Sequence, residues 1–205
     1  MDIEMYSLGP LGTNCYILHN QTEAIIVDPS GESEKIIEVI DQLEKKVLAI
    51  FLTHTHFDHI GALEQVRHYY QAPVYVHPQE ADWLKDPDMN LSNVFGVGEI
   101  ICQKADDYFE TGTFSVGNFQ FDIRHIPGHS PGSVVFIFTN EKCVIAGDTL
   151  FQMAIGRTDL PGGDTEQLIK HVNQKLLTLP DNYRIYPGHG PATTIGQERQ
   201  ENPFL

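Results

Sequence analysis

Residues 53–61 read Thr-His-Thr-His-Phe-Asp-His-Ile-Gly, so three histidines and an aspartate fall within six positions, directly after the apolar run Val47–Leu52. That run reads as a buried strand, which puts His54, His56, Asp58 and His59 on the loop leaving its end. Imidazole and carboxylate together suit zinc and other late divalent metals. On an extended loop His54 and His56 point the same way, whereas the adjacent Asp58 and His59 diverge. The spacing therefore suggests two neighbouring metal positions. A histidine-rich surface loop without ligands is the alternative.

Three downstream donors weigh against that alternative. His129 follows the extended run 119–126 within Ile-Pro-Gly-His-Ser-Pro-Gly, Asp148 follows Cys143-Val-Ile-Ala within Ala-Gly-Asp-Thr, and His189 follows Tyr183-Arg-Ile-Tyr within Pro-Gly-His-Gly-Pro. In each, an extended run ends, a glycine follows, and the donor comes next. Glycine permits the sharp turn and close approach that aim a side chain into a site. One Gly-His carries almost no information, but three such steps beside the 53–61 loop form a pattern.

The surrounding chain reads as α/β. Residues 2–8, 14–19 and 24–28 look like short strands separated by Gly9-Pro10, Gly12 and Asn20. Residues 33–46 read as an amphipathic helix, with Ile36, Ile40, Leu43 and Val47 on one stripe and Lys45 and Lys46 closing its end. A helix over 60–70, a strand at 74–77 and a short helix at 78–85 follow. Strand signals return at 113–126, 133–138, 142–147 and 183–186. A helix over 165–178 carries Asp164 and Gln167 at capping-box spacing. Residues 86–112 sustain no period, and such a segment is often functional; it either covers the site and influences substrate choice or is a mere surface excursion. Trp83, Phe95 and Tyr108 are expected in the core, with lining a pocket as the alternative. Two α/β halves fit this order better than one doubly wound parallel sheet.

Composition narrows the function. A chain of 205 residues suits one domain, 1–205. Its net charge of −15, from 13 Lys+Arg against 28 Asp+Glu, disfavours nucleic acid as a partner. No apolar run approaches a membrane span, and the first residues do not resemble a signal peptide, so the expectation is a cytoplasmic protein. Cys15, Cys102 and Cys143 are scattered and read as buried, reduced residues rather than a disulfide or thiolate site.

The motifs T-H-x-H-x-D-H at 53–59, G-H-S-P-G-S at 128–133, G-D-T at 147–149 and P-G-H at 187–189 resemble those of the metallo-β-lactamase superfamily, in order and across nearly the whole chain. Ala146–Phe151 and Gly156-Arg-Thr-Asp159 look most like the glyoxalase II (hydroxyacylglutathione hydrolase) branch. The resemblance implies an αββα sandwich and two divalent ions, zinc first, with iron or manganese as alternatives. It implies one ion on His54, His56 and His129, the other on Asp58, His59 and His189, and Asp148 bridging. Asp58 and Asp148 are then the catalytic carboxylates, and a metal-bridging hydroxide attacks the thioester of a small acyl-thiol. Asp28 in Val-Asp-Pro fits the family's early aspartate, either orienting a histidine or shaping a turn. Arg157 either meets a substrate carboxylate or forms a buried ion pair with Asp159.

Glyoxalase II enzymes continue into a helical, glutathione-binding domain, whereas sixteen residues follow His189 here. The thiol carrier is therefore open. Persulfide dioxygenases, which resemble this chain in the Gly-Arg-Thr-Asp stretch and use one iron, are the leading rival. Nucleases of the same fold and a non-catalytic metal-binding module rank lower. The sequence does not address the oligomeric state.

Overall fold

The computed structural model describes residues 1–205, which divide into two compact units. The first is Met1–Phe109 with Val116–Phe119, and the second is Glu110–Ser115 with Gln120–Leu205.

The first unit is built on a six-stranded sheet ordered β1 to β6: Asp2–Leu8, Thr13–His19, Glu23–Val27, Lys46–Phe51, Val74–Val76 and Asp107–Tyr108. β1, β2 and β3 are antiparallel neighbours, whereas β3, β4, β5 and β6 run parallel. Strands buried on both faces need continuous apolar runs, and every residue of β2 is buried. Helices α1 (Ser33–Leu43) and α2 (Leu63–Tyr70) cross between parallel strands. They pack Ile36, Ile40, Leu63 and Val66 with Ile17, Ile26 and Ile50 of the sheet. Phe51, Tyr75 and Phe109 form an aromatic cluster, with Phe51 5.2 Å from Tyr75 and 5.6 Å from Phe109.

The second unit carries β7 (Gly112–Val116), β8 (Phe119–His125), β9 (Val134–Phe138), β10 (Cys143–Gly147), a two-stranded ribbon of β11 (Leu150–Phe151) and β12 (Ala154–Ile155), then β13 (Arg184–Pro187) and β14 (Thr193–Thr194). Its main sheet runs β14-β13-β10-β9-β8-β7, with β10 and β13 parallel. Helices α3 (Thr165–His171) and α4 (Ile195–Glu201) supply Leu168 and Ile195 to a core with Ile126, Val135, Ile137, Val144 and Ile185.

Several sequence expectations change here. The first helix stops at Leu43 because Glu44 turns left-handed at φ 54° and donates its N–H to Asp41 O. Lys46 and Val47 therefore belong to β4 and do not close the helix. The run 113–126 is interrupted at left-handed Gly117 (φ 53°), where Glu23 Oε2 accepts from both the backbone and side-chain nitrogens of Asn118. The helix expected over 165–178 is α-helical only to His171 and continues as a π-turn over Val172–Leu176. Its capping residue is as expected, with Asp164 Oδ1 accepting from Gln167 N at 2.9 Å. α4 was not expected. Phe95 and Tyr108 are 42% and 49% exposed, so they are not core residues, and Trp83 is half-buried.

All three cysteines are buried and unpaired. Burial pushes the Cys102 and Cys143 thiols up to about 12, and burial with nearby Asp28 pushes Cys15 up as well. A raised pKa keeps the thiol protonated at pH 8, and only the thiolate attacks disulfide reagents. Native protein should thus show no fast-reacting thiol toward an aromatic disulfide reagent at pH 8, and all three should react in guanidinium. A fast native thiol would contradict the burial.

Candidate functional site

In the first unit the functional side chains stand at the carboxyl ends of parallel strands, where open α/β sheets place their sites. Asp28 follows β3, the 53–59 loop follows β4, and His77 and Glu80 follow β5. The loop is held by two buried carboxylates. Asp28, left-handed at φ 52°, accepts from Thr53 N at 2.8 Å, Thr53 Oγ1 at 2.6 Å and His59 Nδ1 at 2.9 Å. Glu80 Oε2 accepts from Thr55 N at 2.8 Å and Thr55 Oγ1 at 3.0 Å. Both threonines of Thr-His-Thr-His thus face a carboxylate, and Thr53 Oγ1 also lies 3.1 Å from His54 Nδ1.

These anchors gather the four donors of the loop. The His54 ring lies 4.7 Å from His56 and 4.0 Å from His59, centroid to centroid. His59 Nε2 is 3.6 Å from Asp58 Oδ2, which also accepts from Thr13 Oγ1 at 2.6 Å. All four are buried, from His59 at 0% to Asp58 at 6% exposure. Gly61 is required by close approach, because a Cβ there would lie 2.3 Å from Ser30 O.

The second unit gathers His129, Asp148 and His189. β10 and β13 are parallel neighbours, so their ends emerge side by side, tied by Gly188 N to Gly147 O at 2.7 Å. Asp148, which follows Gly147, and His189, which follows Gly188, meet with His189 Nε2 3.5 Å from Asp148 Oδ2. His129 Nε2 stands 3.7 Å from the same oxygen. The His129 turn is clamped on both sides: His125 Nε2 meets Pro131 O at 2.7 Å and His171 Nδ1 meets Pro127 O at 3.4 Å. His125 is therefore a half-buried brace, its pKa lowered by burial. Phe151 packs edge-on to the His189 ring at 6.1 Å.

Hydrogen bonding sets the imidazoles up for metal. A ring whose Nδ1–H donates to a carboxylate or carbonyl keeps its lone pair on Nε2, the usual arrangement of a metal-bound histidine. His59 donates to Asp28, and His129 donates to Arg157 O at 2.8 Å. Donor chemistry and tautomers therefore fit divalent cations, with His54, His56, Asp58 and His59 as candidate ligands in the first unit and His129, Asp148 and His189 in the second.

Asp28 serves both roles left open by the sequence, orienting His59 and shaping the turn. Arg157 departs from expectation. Its guanidinium pairs with Asp159 at 2.8 Å through two nitrogens, but the pair is exposed rather than buried, and the arginine's link to the donors is its backbone carbonyl. That pairing draws the Asp159 carboxyl down to about 2. The anchors Thr13, Thr53, Thr55 and Glu80 went unread. The alternating threonines were a visible signal, whereas Glu80 in Pro-Gln-Glu offered none.

Residues 8–189 match the metallo-beta-lactamase superfamily. The chain is 44% identical over 199 residues to the probable metallo-hydrolase YqgX of Bacillus subtilis, covering 97% of this chain and 94% of that protein. It is 38% identical to the hydroxyacylglutathione hydrolase GloC of Haemophilus influenzae, covering 100% and 98%. The crystal structure of BLEG-1 B3 metallo-beta-lactamase superposes with a TM-score of 0.97 at 44% identity, covering 100% of this chain and 99% of that one. The expected metallo-β-lactamase fold is thereby shown.

Gly128 offers a test of the His129 turn. Its φ is 136°, and a Cβ there would lie 2.5–2.6 Å from the N, Cα and Cβ of Leu168. Gly128→Ala should lose about 2–5 kcal/mol of stability from strain and overpacking together, read from the urea midpoint. A midpoint like that of the wild type would contradict the close approach.

Proposed function

Since this chain belongs to the metallo-beta-lactamase superfamily, a group of metallo-hydrolases, we propose that it hydrolyses a small thioester, as a hydroxyacylglutathione hydrolase does. The observation that carries the reading is the donor set: imidazoles oriented by Asp28 and the Arg157 carbonyl, beside the buried carboxylate of Asp58 and the half-buried one of Asp148. One divalent ion would be held by His54, His56 and His129, a second by Asp58, His59 and His189, with Asp148 shared. Zinc suits this set, and iron or manganese are the alternatives. Two such ions supply hydroxide at neutral pH and Lewis acidity toward an acyl carbonyl.

The part of the chain itself is positioning. Asp28 holds His59 in one tautomer and fixes Thr53, Glu80 fixes Thr55 between the two loop histidines, and the Thr13 hydroxyl turns Asp58 Oδ2 to a set direction. A thiolate departs without protonation by a dedicated acid, so a site made of ligands and their supports suffices for a thioester. Identity to the enzyme named hydroxyacylglutathione hydrolase supports this substrate class. Identity to the BLEG-1 B3 metallo-beta-lactamase favours one second reading, hydrolysis of a β-lactam amide.

The deciding assay is S-D-lactoylglutathione hydrolysis by zinc-loaded protein, run beside a chromogenic cephalosporin and beside oxygen uptake with a persulfide on iron-loaded protein. Thioester turnover should dominate, and Asp148→Ala should lose metal and reduce kcat/KM by roughly 10³-fold. Full activity in Asp148→Ala would refute its shared-ligand role. Faster cephalosporin turnover, or oxygen consumption in its place, would overturn the substrate class. Asp28→Asn should weaken metal binding by roughly 10–100-fold, measured by competition with a chromophoric chelator. Unchanged affinity would leave Asp28 a turn residue only.

A further inference from the structure

Residues 86–98 form a self-supporting loop rather than an irregular excursion. Asn90, fully buried, donates through Nδ2 to Trp83 O and Ile100 O and accepts at Oδ1 from Ser92 N. Ser92 Oγ accepts from Ile100 N, and buried Leu91 is held left-handed at φ 73°. Such a polar spine costs little only when every partner is present. Here it holds outward a set of side chains that a surface loop ordinarily avoids: Val94 at 65%, Phe95 at 42% and Val97 at 44% exposure.

The loop is joined to the donor-bearing loop at three points. Phe57, between His56 and Asp58, donates its N–H to Asn90 O at 2.8 Å. The Phe57 and Phe95 rings lie 5.2 Å apart. Trp83, at the foot of the loop, lies nearly parallel to the His56 ring at 6.3 Å. Phe95, one of the exposed apolar residues, is thus tied through Phe57 to the donor-bearing loop. Between Lys85 and Lys104 there is no lysine or arginine, whereas Asp86, Asp88 and Glu99 are acidic. This stretch offers no cationic side chain to pair with the carboxylate or phosphate of an anionic carrier.

Resting on the thioester reading, we propose that Val94, Phe95 and Val97 form an apolar wall that selects substrates with an uncharged aliphatic or aromatic substituent beside the scissile carbonyl. The occupant is that substituent, on the acyl or on the thiol side. Phe57 links the wall to the site, so that a bound chain would lie against Phe95 while its carbonyl reaches the donors.

The test uses zinc-loaded full-length protein and two arms. Acetyl, butanoyl and hexanoyl thioesters of N-acetylcysteamine lengthen the acyl side, and S-ethyl and S-hexyl thioacetates lengthen the thiol side. In one arm kcat/KM should rise by roughly twofold per methylene, about half of what full burial of a CH₂ gives. In the double variant Phe95→Ser, Val97→Ser the long-to-short ratio should fall toward one. Because the ratio is internal to each preparation, a partly inactive variant still reports. A flat series in both arms of the wild type, or a ratio unchanged in the variant, overturns the wall while leaving thioester hydrolysis standing. A variant that changes oligomeric state in sedimentation but keeps the ratio assigns the patch to an interface and also overturns it. No turnover of any thioester by metal-loaded protein removes the function reading and this inference together.

Discussion

The buried carboxylate of Asp28 is the interaction on which the first cluster depends. It is 1% exposed and receives three hydrogen bonds, two from Thr53 and one from His59. A buried charge left without its partners costs about 3–5 kcal/mol, so the loop and the carboxylate hold one another in place. The sheet makes this possible, because β3 and β4 run parallel and deliver Asp28 and Thr53 to neighbouring strand ends. A left-handed backbone at Asp28 adds local strain of about 1–3 kcal/mol, which the three hydrogen bonds offset. Glu80 repeats the device after β5 for Thr55.

The second cluster uses glycine in place of buried anchors. Gly147 and Gly128 turn left-handed at φ 49° and 136°, and Gly188 N ties the ends of β10 and β13. Those turns bring Asp148 to both His129 and His189 at 3.5–3.7 Å. Rigid strand ends with small turns suit a metal-dependent hydrolase, where donors must be placed before substrate arrives.

Much of this was legible because it follows from short-range rules. The run Val47–Leu52 with its histidine loop, and the three strand–glycine–donor steps, point to the side chains that each cluster brings together. What was hidden depends on partners distant in sequence. Glu80 reaches Thr55 across 25 residues, and Thr13 reaches Asp58 across 45. The end of α1 at Leu43 turned on a left-handed Glu44, a residue type that gives no such signal. The aromatics Phe95 and Tyr108 were expected inside because size alone argues for burial, but the loop built on Asn90 and Ser92 holds Phe95 outward. Arg157 was read by its charge, whereas its carbonyl is the group that orients His129.

The central claim is that the seven donors hold two divalent ions. Its most direct measurement is the number of metal ions per chain, by elemental analysis of protein stripped and then titrated with zinc to saturation. Two ions per chain are expected, one lost on replacing His56 and the other on replacing His189. Saturation at one ion would contradict the paired arrangement and favour a mononuclear centre, and no tight binding would contradict the metal site altogether.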